Sequence, residues 1–456
     1  VTVTDRVVVV GGGFAGLAAA CRLAGDGLRP VLLERAPHLG GRAASFHDRV
    51  TGEEVDYGHH VSMRCCTATH GLLQRIRATS CIRYQEELRV PILCGKLRSE
   101  LRSNPLLPGP LHLAPAILRY RCLSARERAR IARAAVPLLW TWRDVAFGPW
   151  LRERGQGSRA VARLWDPICV ATLNAHVDDV SVAAARQVFR DGFFSSDGAG
   201  LGLFAAPLGR IFEAGAAYVE SRGGEVLRSC AVSRIVIEAN AVRGVALSSG
   251  ETIDCRAVIA SVAPWDLVRL VDARSFRDTL EAAGRLGWAP IVDGHVWFDR
   301  PVLGGPFAIA VDSAVQALFD VTEIHGDSEA SSHHLVLSQS AAAPLIDRPA
   351  GETADALIAS LGEIVPAVRG ARVERRLVIR HRRATFVPAP GSERLRPSAQ
   401  TSVVGLYLAG DWTATGWPST IEGAVRSGIA AAARAAGDLE RDEGAEDVRP
   451  GHTACG

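Results

Sequence analysis

The segment VVVVGGGFAG, residues 7–16, decides how the rest of the chain is read. Four consecutive valines are the signature of a strand buried on both faces, as in a parallel sheet. They run straight into glycines and then into LAAACRLA (17–24), a helical run of small and apolar residues. Gly11, Gly13 and Gly16 therefore stand in GxGxxG spacing at a strand-to-helix turn. The first glycine permits the turn, the second lets a pyrophosphate approach the backbone, and the third lets helix and strand pack closely. The helix N-terminus at Phe14 and Ala15 offers free N–H groups and a positive dipole end to phosphates. A second strand, Pro30–Leu33, ends in Glu34, eighteen residues past Gly16, with Arg35 beside it. An acid at that point is placed to accept hydrogen bonds from adenosine ribose hydroxyls. The pattern predicts a Rossmann-like dinucleotide cradle.

A second glycine turn follows in LGGRA (39–43), where Gly40 and Gly41 precede Arg42. Glycines plus a guanidinium suit a pyrophosphate approached from another side. So placed, the group resembles the flavin-binding amine oxidase and carotenoid desaturase superfamily, and the resemblance implies FAD. It also implies an α/β FAD-binding domain assembled from separated segments, the last being a strand, a Gly-Asp and a helix. LAGDWTATGWPSTIEGAVRSG (408–428) fits that description. Leu406–Ala409 would be the strand, and Gly410 and Asp411 would approach the ribityl chain or pyrophosphate. Ser419 and Glu422 form an S-x-x-E capping box, predicting a helix from near Thr420 to Gly437. Pro418, Thr420 and Ile421 would bring its positive end to the flavin ring. On this reading Gly423 and Ala424 are small because the isoalloxazine lies against them.

Composition sets outer bounds. The chain has 456 residues, 48% hydrophobic and 22% charged, which describes a globular protein of two or three lobes. A net charge of +3 is too small to argue for nucleic acid. Basic residues are almost all arginine, with Lys96 the only lysine. Ten cysteines show no CxxC pair and no zinc spacing, so free thiols in a reducing cytoplasm and no metal are expected. No apolar run reaches the roughly eighteen residues that span a bilayer. A strand beginning at Arg6 leaves no room for a signal peptide. The expected location is cytoplasmic, at most peripheral on the inner face of the cytoplasmic membrane.

The middle of the chain divides by pattern. Short β-rich runs up to Ser261 break at Asn240-Ala241 and Ser249-Gly250, predicting a meander of three or four strands. Under the resemblance, backbone near Val232 lies close to the adenine. SARERARIARAAVPLLWTW (124–142) sets Arg126, Arg130 and Arg133 against Ile131, Ala135, Leu138 and Leu139, with Ser124 as cap. Two readings stay open for that arginine face: a solvated surface, or docking on a membrane. Residues 285–395 mix strand signals with one helix around 354–361. The expected division is an FAD-binding domain of 1–90, 205–284 and 396–440. A helical cap and substrate-entry region covers 91–204, a mixed-sheet substrate lobe 285–395, and a flexible tail 441–456.

Four longer stretches narrow the resemblance: VDYGHHV (55–61), LWDPICVATLNAHVDDVSVAAARQVFRDG (164–192), RRATFVPAPGSERLRP (382–397) and AGDWTATGWPSTIEGAVRSG (409–428). They resemble the bacterial hydroxysqualene dehydroxylases, also called squalene-associated FAD-dependent desaturases. That family implies reduction of an allylic alcohol, hydroxysqualene, to squalene in squalene and hopanoid biosynthesis. Its implied partners are a thirty-carbon isoprenoid substrate, a separate electron donor, and enzymes of the squalene pathway. An allylic C–O bond ionises when its oxygen is protonated, and a dry pocket keeps water from recapturing the cation. His60 is the expected proton donor, with Asp56 orienting it or donating instead. Gly58 and His59 would lie at the flavin. The family has Asn-Gly-Gln-His where this chain has Tyr57, Gly58, His59 and His60. Asn174 and Arg383 are further polar candidates for the carbinol oxygen. The rivals are a carotenoid-type desaturase, an amine oxidase, and a carrier of prenylated proteins without catalysis. The amine oxidases' flavin-side aromatic residue and lysine have no counterpart here. The intact Gly11, Gly13, Gly16, Glu34 and Asp411 argue against a carrier.

Overall fold

In the computed structural model, which describes residues 6–272, 276–327 and 331–447, Val7–Val10 is the middle strand of a five-stranded parallel sheet. The order is Glu225–Leu227, Val31–Leu33, Val7–Val10, Ala257–Ala260, Leu406–Leu408. Side chains alternate between the two faces of a strand. Val7 and Val9 join the core under the helices Phe14–Gly25, Gly209–Glu220 and Ile421–Asp447. Val8 and Val10 face the opposite core, with Ile235, Val242 and Val245 of an antiparallel meander. Burial on both sides explains why the strand is all valine.

That meander has three strands, Val232–Glu238, Ala241–Leu247 and Thr252–Asp254. The neighbouring runs at 225–227 and 257–260 join the parallel sheet instead: Ala257–Ala260 is fully buried beside Val7–Val10, and Glu225–Leu227 is a largely exposed edge strand on Val31–Leu33. A seven-stranded mixed sheet forms the second lobe, in the order Val373–Phe386, Trp288–Phe298, His333–Gln339, Ala317–Asp320, Phe307–Val311, Arg89–Cys94, Leu97–Arg102. Its last two strands correct the expected helical span of 91–204: the hairpin through Gly95 pairs with Phe307–Val311. Strand Leu201–Phe204 trims the other end, pairing with Val61–Met63 and Ile82–Tyr84. Between them the chain is helical, around a core that includes Phe147, Trp150, Trp165 and Phe189. Ser124 caps its helix as expected, in a reciprocal capping box with Glu127.

The C-terminal helix begins at Ile421, as expected, but departs from the sequence expectation at its other end: it passes Gly437 without stopping and reaches Asp447. The expected flexible tail is thus helical over 441–447, and 448–456 lie outside the described residues. Its small residues also have a different cause. A Cβ on Gly428 would stand 2.0 Å from the Ala15 carbonyl oxygen, so this helix packs backbone to backbone on Phe14–Gly25. A Cβ on Gly423 would stand 2.6 Å from the Pro418 carbonyl oxygen, within its own turn. Gly428→Val should therefore lower stability by at least about 1–3 kcal/mol, as overpacking does. Gly437→Ala, whose Cβ would meet only the Arg441 guanidinium at an ordinary 3.7 Å, should stabilise by up to about 1 kcal/mol. Urea unfolding of the two variants checks the pair.

Candidate active site

The two glycine turns lie back to back. Gly11 has φ +105°, and a Cβ there would meet the Ser261 carbonyl oxygen at 2.9 Å. Gly16 approaches Gly11 so closely that a Cβ would lie 1.9 Å from its carbonyl oxygen. Gly13 differs: its backbone is extended, and the nearest atom to an added Cβ is Gly40 O at 3.9 Å. The space before Gly13 is open. Gly40 N donates to Gly12 O at 2.9 Å, and Gly41, at φ +57°, faces the Gly13 Cα. Glu34 accepts from Gly12 N at 2.7 Å and from Ala36 N at 2.8 Å, bracing the loop from below. A carboxylate oxygen has more than one acceptor direction, so the expected ribose contact remains compatible.

Arg42 sits where three chain segments meet. It pairs with the buried Asp411, donates to Ala384 O at 2.7 Å, and lies over the Trp288 ring at 5.7 Å. Asp411 also accepts from the Ser419 hydroxyl. Its backbone oxygen accepts from Arg396 at 3.0 Å, a buried arginine the sequence reading passed over within SERLRP. Gly410, at φ +141°, donates to Ser427 Oγ at 2.8 Å, and a Cβ there would strike the Trp412 ring. Trp412 in turn donates to Val262 O at 3.0 Å, tying this turn to the end of the neighbouring strand.

The expected Ser419–Glu422 capping box does not form. Thr420 Oγ1 accepts from Gly423 N at 3.1 Å and so takes the cap. Glu422 instead accepts from Ala68 N at 3.0 Å and Thr69 N at 2.8 Å, capping a different helix, Thr67–Arg75. The side chains of other expected cofactor residues have partners within the protein, which leaves backbone contact with the cofactor open. Phe14 packs on Phe212 with ring centroids 4.7 Å apart, and Ile421 packs on the same core. Arg35 is exposed and lies 3.5 Å from Asp266. Pro418 is buried, and Val232 opens its strand opposite Leu247.

The turn 57–60 leaves the cradle toward the second lobe, with Tyr57 N donating to Ala44 O at 2.9 Å. His60 does not meet Asp56. Its ring Nδ1 is 2.8 Å from Gly58 O, and burial lowers its pKa to about 4, so it is neutral at pH 7. This corrects the expectation of a near-neutral proton donor held by Asp56. Asp56 accepts from Ser45 Oγ at 2.5 Å and Leu208 N at 2.9 Å, and burial pushes its pKa up to about 7. His59 points into the lobe: its ring lies 4.5 Å from that of Phe319, lining a small cavity with Asp56, His295, His325 and His334. Burial lowers its pKa to about 3.

Asp293 is the residue sequence reading missed. It sits mid-strand, 2% exposed, and a Cβ on Gly58 would fall 2.5 Å from its Oδ2. Its Oδ1 has no hydrogen-bond partner among the described residues, and burial pushes its pKa up to about 7. The available signal was an acid between Val292 and Gly294 in a strand whose other residues, His295 apart, are apolar. Asn174 and Arg383 are spent elsewhere. Asn174 donates to Ala289 O and Thr385 Oγ1 and accepts from Ala341 N, while Arg383 is exposed over Trp265. The nine cysteines among the described residues are free, and no group of three or more potential ligands there could hold a metal.

The family model for flavin containing amine oxidoreductases matches residues 14–436. The chain belongs to this family. It is 26% identical over 435 residues to hydroxysqualene dehydroxylase of Sinorhizobium fredii, covering 94% of this chain and 97% of the relative. It is 23% identical over 451 residues to the 15-cis-phytoene desaturase of Solanum lycopersicum, covering 93% of this chain and 76% of the relative. Among solved structures, an oxidoreductase from Methanosarcina mazei aligns with TM-score 0.74 at 19% identity, over 93% and 99% of the two chains. A putrescine oxidase variant aligns with TM-score 0.71 at 16% identity, over 95% and 100%. This FAD-dependent oxidoreductase keeps open space before Gly13, between the Gly11–Gly16 and Gly40–Arg42 turns, and that opening fits the cofactor's pyrophosphate.

Gly13→Val should thus fold with the unfolding midpoint of the flavin-free parent yet lack flavin absorbance. A yellow variant would misplace the cradle. A second test uses pH. The Asp293 pKa is raised in the fold, so its contribution to stability is present below about pH 4 and lost as pH rises through about 7. Asp293→Asn should gain stability relative to the parent across that window and hold a constant difference above it. Urea midpoints from pH 4 to 8 measure this.

Proposed function

We propose that this enzyme reduces the allylic alcohol hydroxysqualene to squalene. The supporting observation is the near end-to-end match, over 94% of this chain and 97% of the relative, to a hydroxysqualene dehydroxylase. FAD held in the cradle would, once reduced by a separate electron donor, supply the hydride. The substrate oxygen takes a proton, the C–O bond breaks with its electron pair on oxygen, and water leaves.

The chain must supply the proton and keep bulk water out. We assign the proton to the carboxyl of Asp293, which is partly protonated near neutral pH and has an unpartnered oxygen. Asp56 is the second carboxyl of this kind, but its Oδ1 is taken by Ser45 and Leu208 N. Neutral His60, with Nδ1 at the Gly58 carbonyl, offers an acceptor at its other nitrogen and fits a role in orienting the turn. Desaturation would need no proton donor. Asp293 is itself only 2% exposed, so bulk water is kept from its carboxyl, the dryness an ionising C–O bond requires.

With oxygen excluded, the reduced enzyme should be reoxidised by hydroxysqualene, and the squalene formed should carry one hydrogen from the flavin. Asp293→Asn should slow that step by roughly 10²–10⁴-fold with FAD retained. His60→Ala should change it by less than about tenfold. The parent rate should fall as pH rises through about 7. A large loss in His60→Ala with none in Asp293→Asn would transfer the proton to the histidine. Reduction of the oxidised enzyme by a phytoene-like polyene would make it a desaturase.

A further inference from the structure

Residues 106–145 carry an apolar surface that the folded chain leaves uncovered. Of fourteen large hydrophobic side chains exposed among the described residues, seven fall in this segment. Trp140 and Trp142 are 76% and 77% exposed, beside Leu106, Leu111, Leu118 and Val136. An isolated exposed leucine needs no explanation, but two exposed tryptophans among aliphatic side chains do.

These residues are gathered on one part of the fold. The guanidinium of Arg186 lies 3.8 Å from the Trp142 ring centroid, and its Nε donates to Leu139 O at 3.1 Å. Gly109 touches the far end of the same helical run, where a Cβ would lie 2.0 Å from Phe194 O. Arg186 and Phe194 are about 12 Å apart along a helix. Arg128 donates to Leu118 O, bringing the short helix Ala114–Arg119 to the same region.

Charge selects the partner. Residues 104–145 contain seven arginines against Glu127 and Asp144, a net +5 in a chain whose total is +3. Both acids are already engaged, Glu127 by Arg159 and Asp144 by the Gly391 amide. Arg119, Arg121, Arg126, Arg130 and Arg133 have no ion pair among the described residues. Arg126, Arg130 and Arg159 further line an open groove beside the Ser124 cap. Tryptophans and aliphatic side chains flanked by unpaired arginines match the interface of a bilayer carrying anionic headgroups.

We propose that the 106–145 surface docks on anionic lipid bilayers, with Trp140 and Trp142 entering the interface and the arginines meeting the headgroups. The proposal does not rest on the assigned substrate, and docking is measured without it, so docking and turnover fail or succeed separately. The test is sedimentation of the flavin-loaded enzyme with vesicles of phosphatidylcholine, with and without phosphatidylglycerol, and no substrate present. Binding should require phosphatidylglycerol. Arg126→Gln and Arg130→Gln should each weaken it about fivefold, the equivalent of about 1 kcal/mol per arginine at an anionic surface. A Trp140→Ser, Trp142→Ser double variant should abolish sedimentation while keeping the parent unfolding midpoint. Binding that is indifferent to phosphatidylglycerol or to the tryptophans overturns the proposal. So does a dimer by light scattering that the double variant dissociates, since the face would then be a contact between copies.

Discussion

Everything in this fold hangs on how tightly the helix Phe14–Gly25 is held. On one side Gly16 lies against the Gly11 carbonyl, and on the other Gly428 lies against the Ala15 carbonyl, with no room for a Cβ at either. Two contacts of backbone on backbone leave the first helix almost no freedom to shift. They bring the two ends of the chain together around one turn. The open space before Gly13 exists because its neighbours are fixed this closely.

Around that grip, buried polar side chains join segments that no local rule would connect. Glu422 satisfies amide donors at the N-terminus of Thr67–Arg75, where unpaired N–H groups and the dipole favour a carboxylate. Arg42 joins the second glycine turn to Asp411 and to a strand of the other lobe through Ala384 O. Arg396, fully inside, then holds Asp411 from its backbone oxygen. Losing one partner of such a pair leaves a buried charge uncompensated, so these links resist being broken singly. The FAD cradle and the second lobe therefore meet through specific bonds as well as through apolar packing.

The second lobe keeps several titratable groups dry. His295 lies 2.9 Å from His334, which stacks on Trp297 at 4.1 Å, and Trp297 donates to Glu53 at 2.9 Å. Burial lowers the pKa of His295 to about 4 and that of His334 well below its usual value, so the imidazoles are neutral. The same dryness works in the opposite sense on Asp56 and Asp293, keeping protons on carboxyl groups. One physical cause thus removes the histidines as acids and makes acids of the aspartates.

The sequence alone determined the features whose cause is local. Four valines, three spaced glycines and Glu34 specify strand, turn and helix within one stretch of backbone. The capping box at Ser124 forms because its two partners lie within a single helical turn. The same motif at Ser419 misled, because a buried carboxylate takes the best donors in reach, and those were 353 and 354 residues away in sequence. The small residues of the C-terminal helix were legible as a close approach, but only the packing shows that Gly428 meets another helix. Asp293 reads as the one acid in a mainly apolar strand until the fold sets it against Gly58 and removes water from around it. The sequence carried the cradle, since its geometry is written in backbone conformation. The tertiary structure decided which carboxyl groups hold a proton near neutral pH, since a pKa belongs to the surroundings of a group and not to its neighbours in the chain.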